Sequence, residues 1–321
     1  MSQLQSLDVK VWVEGDRLQV NAPEGALSPA LKEEMRWRKP EIISFLGMAT
    51  RATALPASIV PLQPDGPKTP VFAVPGHNGD VFCYVRFAAE LGSDQPFYAL
   101  QPPGLDGRRA PLAKVEELAA VFAADIASFL PRGPMVLAGY CLGGTIAFAT
   151  ASQLASGGRD VAMLALFGSP CPTALKPVHQ ATARVQRYAT RLAHHARVLR
   201  TLPRGERLAY VLGRARAVAG PNPAPPADVT VRHRVNLENI TVAAVKAYAP
   251  GTYARRVTLY APDASWLTCE DRPRDWKKFA TKGVDERVGP EGCQADFMLR
   301  QYAPDFARLF AADVSGLRSP E

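Results

Sequence analysis

Between residues 70 and 167 the chain alternates short apolar runs with longer segments of helical periodicity. Strands are expected at Pro70–Val74, Phe97–Leu100, Met135–Ala138 and Val161–Phe167, and helices are expected up to Leu91, around 115–130 and over 143–156. Buried strands that alternate with helices of this length form a mainly parallel sheet covered on both faces. The pattern therefore predicts an α/β fold.

This alternation is interrupted between about residues 172 and 232. Apolar residues recur there at helical spacing, and the proline-rich run GPNPAPPAD closes the segment, so we expect a helical lid. The sheet pattern resumes with strands at Val257–Tyr260 and Asp285–Val288 and with a final helix over 298–312. The α/β domain is thus predicted to span residues 70–316.

A smaller pattern precedes this domain. Apolar and polar residues alternate in VKVWVEGDRLQV, which predicts a β-hairpin with its turn at Gly15 and Asp16, and a helix is expected to begin at Ser28-Pro29. Residues 1–48 therefore form a small α+β domain with too little core for an enzyme. Residues 49–69, rich in Ala, Pro, Thr and Ser, are expected to be an interdomain linker.

The sequence Gly139-Tyr140-Cys141-Leu142-Gly143 stands between an expected strand and an expected helix. It has the G-x-S-x-G pattern of a nucleophile elbow, with cysteine in the place of serine. The tight turn requires the glycines, and it holds the nucleophile at a helix N-terminus, where amide dipoles favour a thiolate. Cys141 is the predicted nucleophile, and packing roles are expected for the other four cysteines.

The loop VPGHNGD follows the first strand of the α/β domain. In α/β hydrolases this place holds the oxyanion-hole loop, whose backbone N–H acts with that of the residue after the nucleophile, here Leu142. His77 in this loop is a candidate for the oxyanion site or for a base. The expected substrate-binding residues are Gly76, Asn78, Gly79 and Tyr140.

These segments resemble two known families. VFAVPGHNGDVFCYVRFAAELGSDQPFYALQPPGLDG together with MVLAGYCLGGTIAFATASQL resembles the thioesterase domains that end nonribosomal peptide and polyketide assembly lines. VWVEGDRLQVNAPEGALSPALKEEMRWRKPEIISFL resembles the TubC-type N-terminal docking domain. The resemblances imply an α/β-hydrolase fold with a helical lid, substrates held on the phosphopantetheine of acyl or peptidyl carrier proteins, no bound cofactor or metal, and docking to a synthetase subunit.

The chain departs from the thioesterase pattern at two catalytic positions. The family aspartate stands in a stretch like L-L-x-L-F-D-S, where this chain has LALFGSP with Gly168. The family histidine stands in a stretch like G-x-H-F-x-M-L, where GCQADFML places Ala295 or, with a shift of one residue, Asp296. Since no histidine follows residue 233, another alignment does not restore it.

Three places could supply a substitute base or acid. His77 is the leading candidate, because the oxyanion loop borders the nucleophile. Asp263 follows the strand VTLYAP, where many α/β hydrolases keep their acid, although a helix cap is the alternative for it. His194 and His195 belong to the expected lid and would reach the nucleophile only when that lid closes.

Cysteine tolerates the loss of a histidine better than serine does, because a thiol ionises far more readily than a hydroxyl. Exchange between two thiols needs little acid–base help, whereas attack by water gains about 10²–10⁴-fold from a general base. We therefore expect acyl or aminoacyl transfer, or product release, through a Cys141 thioester. The alternatives are a hydrolytic editing thioesterase and a noncatalytic scaffold that binds carrier proteins.

The net charge of +8 is concentrated in one segment, since residues 176–220 hold nine Arg and one Lys against a single Glu. The near-neutral remainder argues against a nucleic-acid partner. We expect Arg184, Arg187 and Arg191 to contact acidic carrier proteins. The N-terminus lacks a signal-peptide pattern, no apolar run reaches about 18 residues, and the cysteines show no C-x-x-C spacing, so a cytoplasmic protein with no membrane partner is expected.

Overall fold

A seven-stranded sheet organises the larger part of the chain. The structure, a computed structural model, describes residues 9–14, 17–22, 27, 29–37, 39, 42, 55–105, 110–175, 229–269 and 273–317. The strands of this sheet, in chain order, are β3 (Ile59–Gln63), β4 (Val71–Val74), β5 (Phe97–Leu100), β6 (Met135–Tyr140), β7 (Val161–Phe167), β8 (Val257–Ala261) and β9 (Val284–Val288). Their order across the sheet is β3-β5-β4-β6-β7-β8-β9, with β3 antiparallel to β5 and the other pairs parallel.

Helices cover both faces of this sheet. They are α2 (Val85–Glu90), α3 (Val115–Phe129), α4 (Gly143–Ser156), α5 (Val229–Ala247) and α6 (Ala303–Ser315), and α1 belongs to the N-terminal segment. Alternate residues of β4 enter two separate cores: Phe72 packs with α3, α4 and α5, and Val71 packs with α2 and α6. This arrangement is the mainly parallel sheet, covered on both faces, that the alternating pattern predicts, and it agrees with the α/β-hydrolase fold that the resemblance implies.

The N-terminal segment contains the predicted hairpin. Strands β1 (Lys10–Glu14) and β2 (Arg17–Asn21) pair antiparallel, with Val11 opposite Val20 and Val13 opposite Leu18. Helix α1 (Pro29–Trp37) follows, with proline at its first position as the sequence predicts.

The prediction of a linker over residues 49–69 is wrong for residues 59–63, which form strand β3. Pro61 obscured this strand in the sequence, because proline lacks the N–H that a central strand needs. β3 lies at the edge of the sheet, where a proline is tolerated. The oxygen Oγ of Ser58 donates a 2.5 Å hydrogen bond to Asp125 Oδ2, which ties the start of β3 to α3.

Two helices differ from expectation. The last helix begins at Ala303 rather than at residue 298, because Pro304 is accommodated only in a first helical turn. Helix α5 was not predicted: the lid was expected to end near residue 232, and the next predicted element was a strand at Val257. The greater part of the expected lid, residues 176–228, lies outside the described residues. None of the described helices is long and apolar enough to cross a membrane.

Asp313 of α6 joins the last two strands to the helical layer. It accepts hydrogen bonds from the hydroxyl of Tyr260 on β8 at 2.7 Å and from Arg287 Nη2 on β9 at 2.6 Å. Tyr260 is fully buried, so its hydroxyl has no access to bulk water as a substitute partner.

We predict that Asp313→Ala lowers the free energy of unfolding by about 2 kcal/mol, because it leaves a buried hydroxyl and a guanidinium without their acceptor. Asp305→Ala is the control, because Asp305 of the same helix pairs with Arg308 at the exposed surface and should change stability by less than about 0.5 kcal/mol. Urea denaturation measures both. Equal losses in the two variants would contradict the structural role assigned to Asp313.

Candidate active site

The backbone at Cys141 is held in a strained conformation. Strand β6 ends at Tyr140 and helix α4 begins at Gly143, and between them Cys141 has a φ of 52°. It is the only non-glycine residue with positive φ in the described part of the chain. The N–H of Cys141 donates to the carbonyl of Phe167 on β7 at 2.9 Å. This is the geometry of a nucleophile elbow, which presents the side chain above the carboxyl ends of the strands.

Close packing explains the two glycines of the motif. A Cβ at Gly139 would lie 2.5 Å from Gly144 Cα, and one at Gly143 would lie 2.0 Å from the Pro75 carbonyl oxygen. Both distances are below any real Cβ contact, and both obstacles are backbone atoms. The glycines therefore allow β6, α4 and the end of β4 to approach closely enough to form the turn.

Cys141 lines a cleft of about 200 Å³. Four other residues selected from the sequence also line it, namely Gly76, His77, Asn78 and Tyr140. Leu142 is buried and immediately precedes α4, so its backbone N–H lies at the helix terminus, where amides have no intrahelical acceptor. The elbow and the loop after β4 thus meet, as the sequence predicts for an oxyanion site.

The loop after β4 is ordered by its own hydrogen bonds. The N–H of Gly79 donates to the Gly76 carbonyl at 3.0 Å, and the N–H of Asp80 donates to Asn78 Oδ1 at 3.1 Å. Gly79 has a φ of 69°, which favours glycine. Gly79 is buried behind the loop against Pro102 and Leu237, so it shapes the cleft without being one of its lining residues.

The positions expected for the family aspartate and histidine are neighbours in space. A Cβ at Gly168, which has a φ of 50°, would lie 3.5 Å from Ala295 Cβ and 2.9 Å from Met298 Sδ. Met298 is fully buried, so its thioether fills the place toward which a side chain at position 168 would extend. The Ala295 carbonyl accepts a 2.8 Å hydrogen bond from the Tyr140 hydroxyl. Gly168 and Ala295 are thus close together, and Met298 packs against Gly168.

Asp263 serves a local turn. Its Oδ1 accepts hydrogen bonds from the Ser265 hydroxyl at 2.7 Å and from the Trp266 N–H at 3.0 Å. These bonds, that of Ser265 first, lower the pKa of Asp263. The residue caps the short helix Ser265–Thr268 and is not among the residues that line the cleft of Cys141. The geometry favours the helix-cap alternative over a catalytic acid.

The structure adds residues to the cleft that the sequence did not single out as site residues. Asp80, Cys83, Leu299 and Arg300 line it, as does Asp296, which the sequence raised only as a possible replacement for the histidine. Cys83 is buried, and desolvation followed by the charge of Asp80 raises the pKa of its thiol well above the usual value. Cys83 is therefore held as a neutral thiol, in agreement with the packing role expected for it.

His77 has a partner that sequence reasoning missed. Its Nε2 lies 3.0 Å from Oε1 of Glu238 on α5, and both side chains are partly exposed. No sequence signal pointed to Glu238, because α5 itself was not predicted. Arg184, Arg187, Arg191, His194 and His195 lie outside the described residues. No cluster of His, Cys, Asp and Glu able to hold a metal ion occurs within the described ranges.

Comparison with known families separates the chain into two parts. Residues 69–211 match the Thioesterase domain family, and residues 1–47 match the TubC N-terminal docking domain family.

The curated relatives that match are longer than this chain. The chain is 26% identical over 279 residues to an atromentin synthetase of Tapinella panuoides, which covers 78% of this chain and 28% of the relative. It is 32% identical over 154 residues to an indigoidine synthase of Dickeya dadantii, covering 47% of this chain and 10% of the relative. A protein of Paxillus involutus named inactive atromentin synthetase is 35% identical over 131 residues, 39% of this chain and 14% of the relative. The chain thus spans about a quarter or less of the length of these relatives.

Solved thioesterase structures share the fold. The NocB thioesterase domain from the nocardicin cluster superposes with a TM-score of 0.58 at 20% identity, covering 81% of this chain and 100% of that domain. The type II thioesterase BorB from the borrelidin cluster superposes with a TM-score of 0.57 at 19% identity, covering 82% of this chain and 99% of BorB.

We predict that iodoacetamide alkylates Cys141 about tenfold faster than Cys269, because Cys141 adjoins the N-terminus of α4, where backbone dipoles favour a thiolate. Cys269 is the internal control, since both residues are partly exposed, whereas Cys83, Cys171 and Cys293 are buried and should stay unlabelled. Peptide mass spectrometry over a time course measures the rates. Equal rates at Cys141 and Cys269 would contradict an activated thiol.

Proposed function

We propose that this chain, whose residues 69–211 match the Thioesterase domain family and whose residues 1–47 match the TubC N-terminal docking domain family, transfers acyl or aminoacyl groups through Cys141. The donor is the phosphopantetheine thioester of a carrier protein, and the acceptor is a thiol or an amine. The observation that carries this proposal is the position of Cys141 at a strained elbow beside the oxyanion loop, without the family's aspartate and histidine.

The first half-reaction exchanges one thioester for another. The Cys141 sulfur attacks the thioester carbonyl carbon, and the bond from that carbon to the pantetheine sulfur breaks. The pantetheine thiolate leaves and takes up the proton that Cys141 lost. Reactant and product are both thioesters of similar energy, so the step needs little acid–base help. In this proposal the backbone N–H groups of Leu142 and of the loop of residues 76–79, rather than their side chains, stabilise the tetrahedral oxyanion.

The second half-reaction selects between acceptors. Hydrolysis requires activation of water, which a general base accelerates by about 10²–10⁴-fold. The family's acid and base are absent at Gly168 and at Ala295 or Asp296, and an amine or a thiolate is a stronger nucleophile than water. We therefore favour transfer to a carrier thiol or to an amine over editing hydrolysis. The proposed reaction requires no cofactor bound to this protein.

Intact mass spectrometry after incubation with acyl-loaded carrier proteins tests the proposal. Wild-type protein should gain the mass of the acyl group as a thioester that hydroxylamine removes. Cys141→Ala should gain none, and Cys141→Ser should gain much less than the wild type, because a serine hydroxyl is far less acidic than a thiol. Cys269→Ala is the matched control and should be acylated like the wild type.

Three outcomes would separate the alternatives. Absence of an adduct with a panel of acyl and aminoacyl carriers would favour the noncatalytic scaffold. Loss of the acyl group to water as fast as to a carrier thiol would favour an editing thioesterase. An adduct that persists in water and disappears when a carrier thiol is added would support acyl transfer.

The basic segment of residues 176–220 supports a charged carrier contact, because carrier proteins are typically acidic and opposite charges accelerate association. Reversing Arg184, Arg187 and Arg191 to Glu should slow acyl loading about tenfold or more at low salt and less at high salt. Stopped-flow or quenched loading assays measure this. The control reverses three exposed cations of the sheet domain, Arg86, Lys114 and Arg132. Equal effects of the two triple variants would show that the segment acts only through the net charge of the protein.

A further inference from the structure

The ion pair between His77 and Glu238 links the oxyanion loop to helix α5. His77 Nε2 and Glu238 Oε1 are 3.0 Å apart. The neighbouring residues Gly79 and Leu237 are also close, since a Cβ at Gly79 would lie 3.3 Å from Leu237 Cδ2. The loop and α5 therefore touch at two adjacent points, which holds the imidazole in one orientation.

This contact determines which nitrogen of His77 remains available. The two atoms are close enough for Nε2–H to donate to the carboxylate of Glu238, and the neutral imidazole that does so keeps its lone pair on Nδ1. His77 lines the same cleft as Cys141. A carboxylate that fixes the tautomer of an imidazole beside a nucleophile performs the orienting task that the family aspartate performs elsewhere.

The ion pair between His77 and Glu238 is expected to contribute little to the stability of the fold. The side chains of His77 and Glu238 are 39% and 43% exposed, and exposed ion pairs contribute little to folding. A partly exposed position is suitable for proton exchange with an incoming acceptor. The other charged groups of the cleft, Asp80, Asp296 and Arg300, are carboxylates and a guanidinium, so His77 supplies the imidazole of the cleft.

We infer that His77 is the general base of the second half-reaction and that Glu238 is its positioning residue. This inference rests on the proposed Cys141 thioester. An incoming amine attacks the carbonyl carbon of the acyl-Cys141 thioester, and His77 Nδ1 accepts the proton that the amine nitrogen loses. The bond from carbon to the Cys141 sulfur then breaks, and the imidazolium returns its proton to the leaving thiolate. The thiol exchange of the first half-reaction does not require this base.

A single-turnover experiment on the full chain separates the two half-reactions. Cys141 is loaded from an acyl N-acetylcysteamine thioester, excess donor is removed, and loss of the acyl group to glycinamide is followed by intact mass. His77→Ala and His77→Gln should load within about threefold of the wild type. Both should lose the acyl group to glycinamide about 10- to 100-fold more slowly, within the usual range for removal of a general base.

Two further measurements distinguish a base from a structural residue. Added imidazole should restore most of the lost rate in His77→Ala, whereas it should leave the wild type unchanged. Glu238→Ala should slow acyl transfer about 3- to 10-fold, less than loss of the histidine itself, as expected for a group that acts through another. Lys246→Ala, on the same helix, is the matched control and should behave as wild type.

The outcomes that overturn the inference differ from those that overturn the proposed function. Normal loading of Cys141 together with wild-type transfer rates in both His77 variants would exclude His77 as the base. Slow transfer that imidazole does not restore in His77→Ala would assign His77 to loop structure. Absence of any Cys141 adduct in the wild type would instead refute the thioester mechanism itself.

Discussion

The left-handed backbone of Cys141 is the constraint on which the rest of the site depends. A non-glycine residue in this region carries a strain of about 1–3 kcal/mol, and surrounding structure must compensate for it. That structure consists of the hydrogen bond from the Cys141 N–H to Phe167 and the tight contacts at Gly139 and Gly143. The hydrogen bond to Phe167 requires β7 beside β6, and the contact of Gly143 with Pro75 requires β4 on its other side. The fold therefore holds the thiol at the carboxyl ends of the central strands.

Two residues of the usual triad are replaced in this chain, and the replaced positions pack against neighbouring side chains. Gly168 and Ala295 are neighbours, and the buried sulfur of Met298 occupies the space beside them. Restoring an aspartate alone would place its side chain against that sulfur. A cysteine is consistent with this environment, because thioester exchange requires less proton transfer than ester or water chemistry.

Local sequence patterns predicted most of the sheet and its helices. Strands β5 and β7 and helix α4 have the expected bounds, because their apolar periodicity is continuous over the whole element. Strand β3 was not predicted, because a proline argues against a strand unless the strand is known to lie at the edge of the sheet. Helix α5 was not predicted, because it directly follows the segment that was expected to form the lid. The elbow was predictable because its glycines, strand and helix are consecutive in the chain.

The sequence by itself determined the fold class and placed Cys141 at the turn between β6 and α4, since both rest on neighbouring residues whose spacing reflects local geometry. Only the tertiary structure decided which distant residues share the cleft. It placed Asp296 and Cys83 beside Cys141, assigned Asp263 to a helix cap and joined His77 to Glu238. These contacts join segments far apart in the chain, and periodicity carries no information on them, because they depend on how strands are ordered and on how helices pack across the sheet.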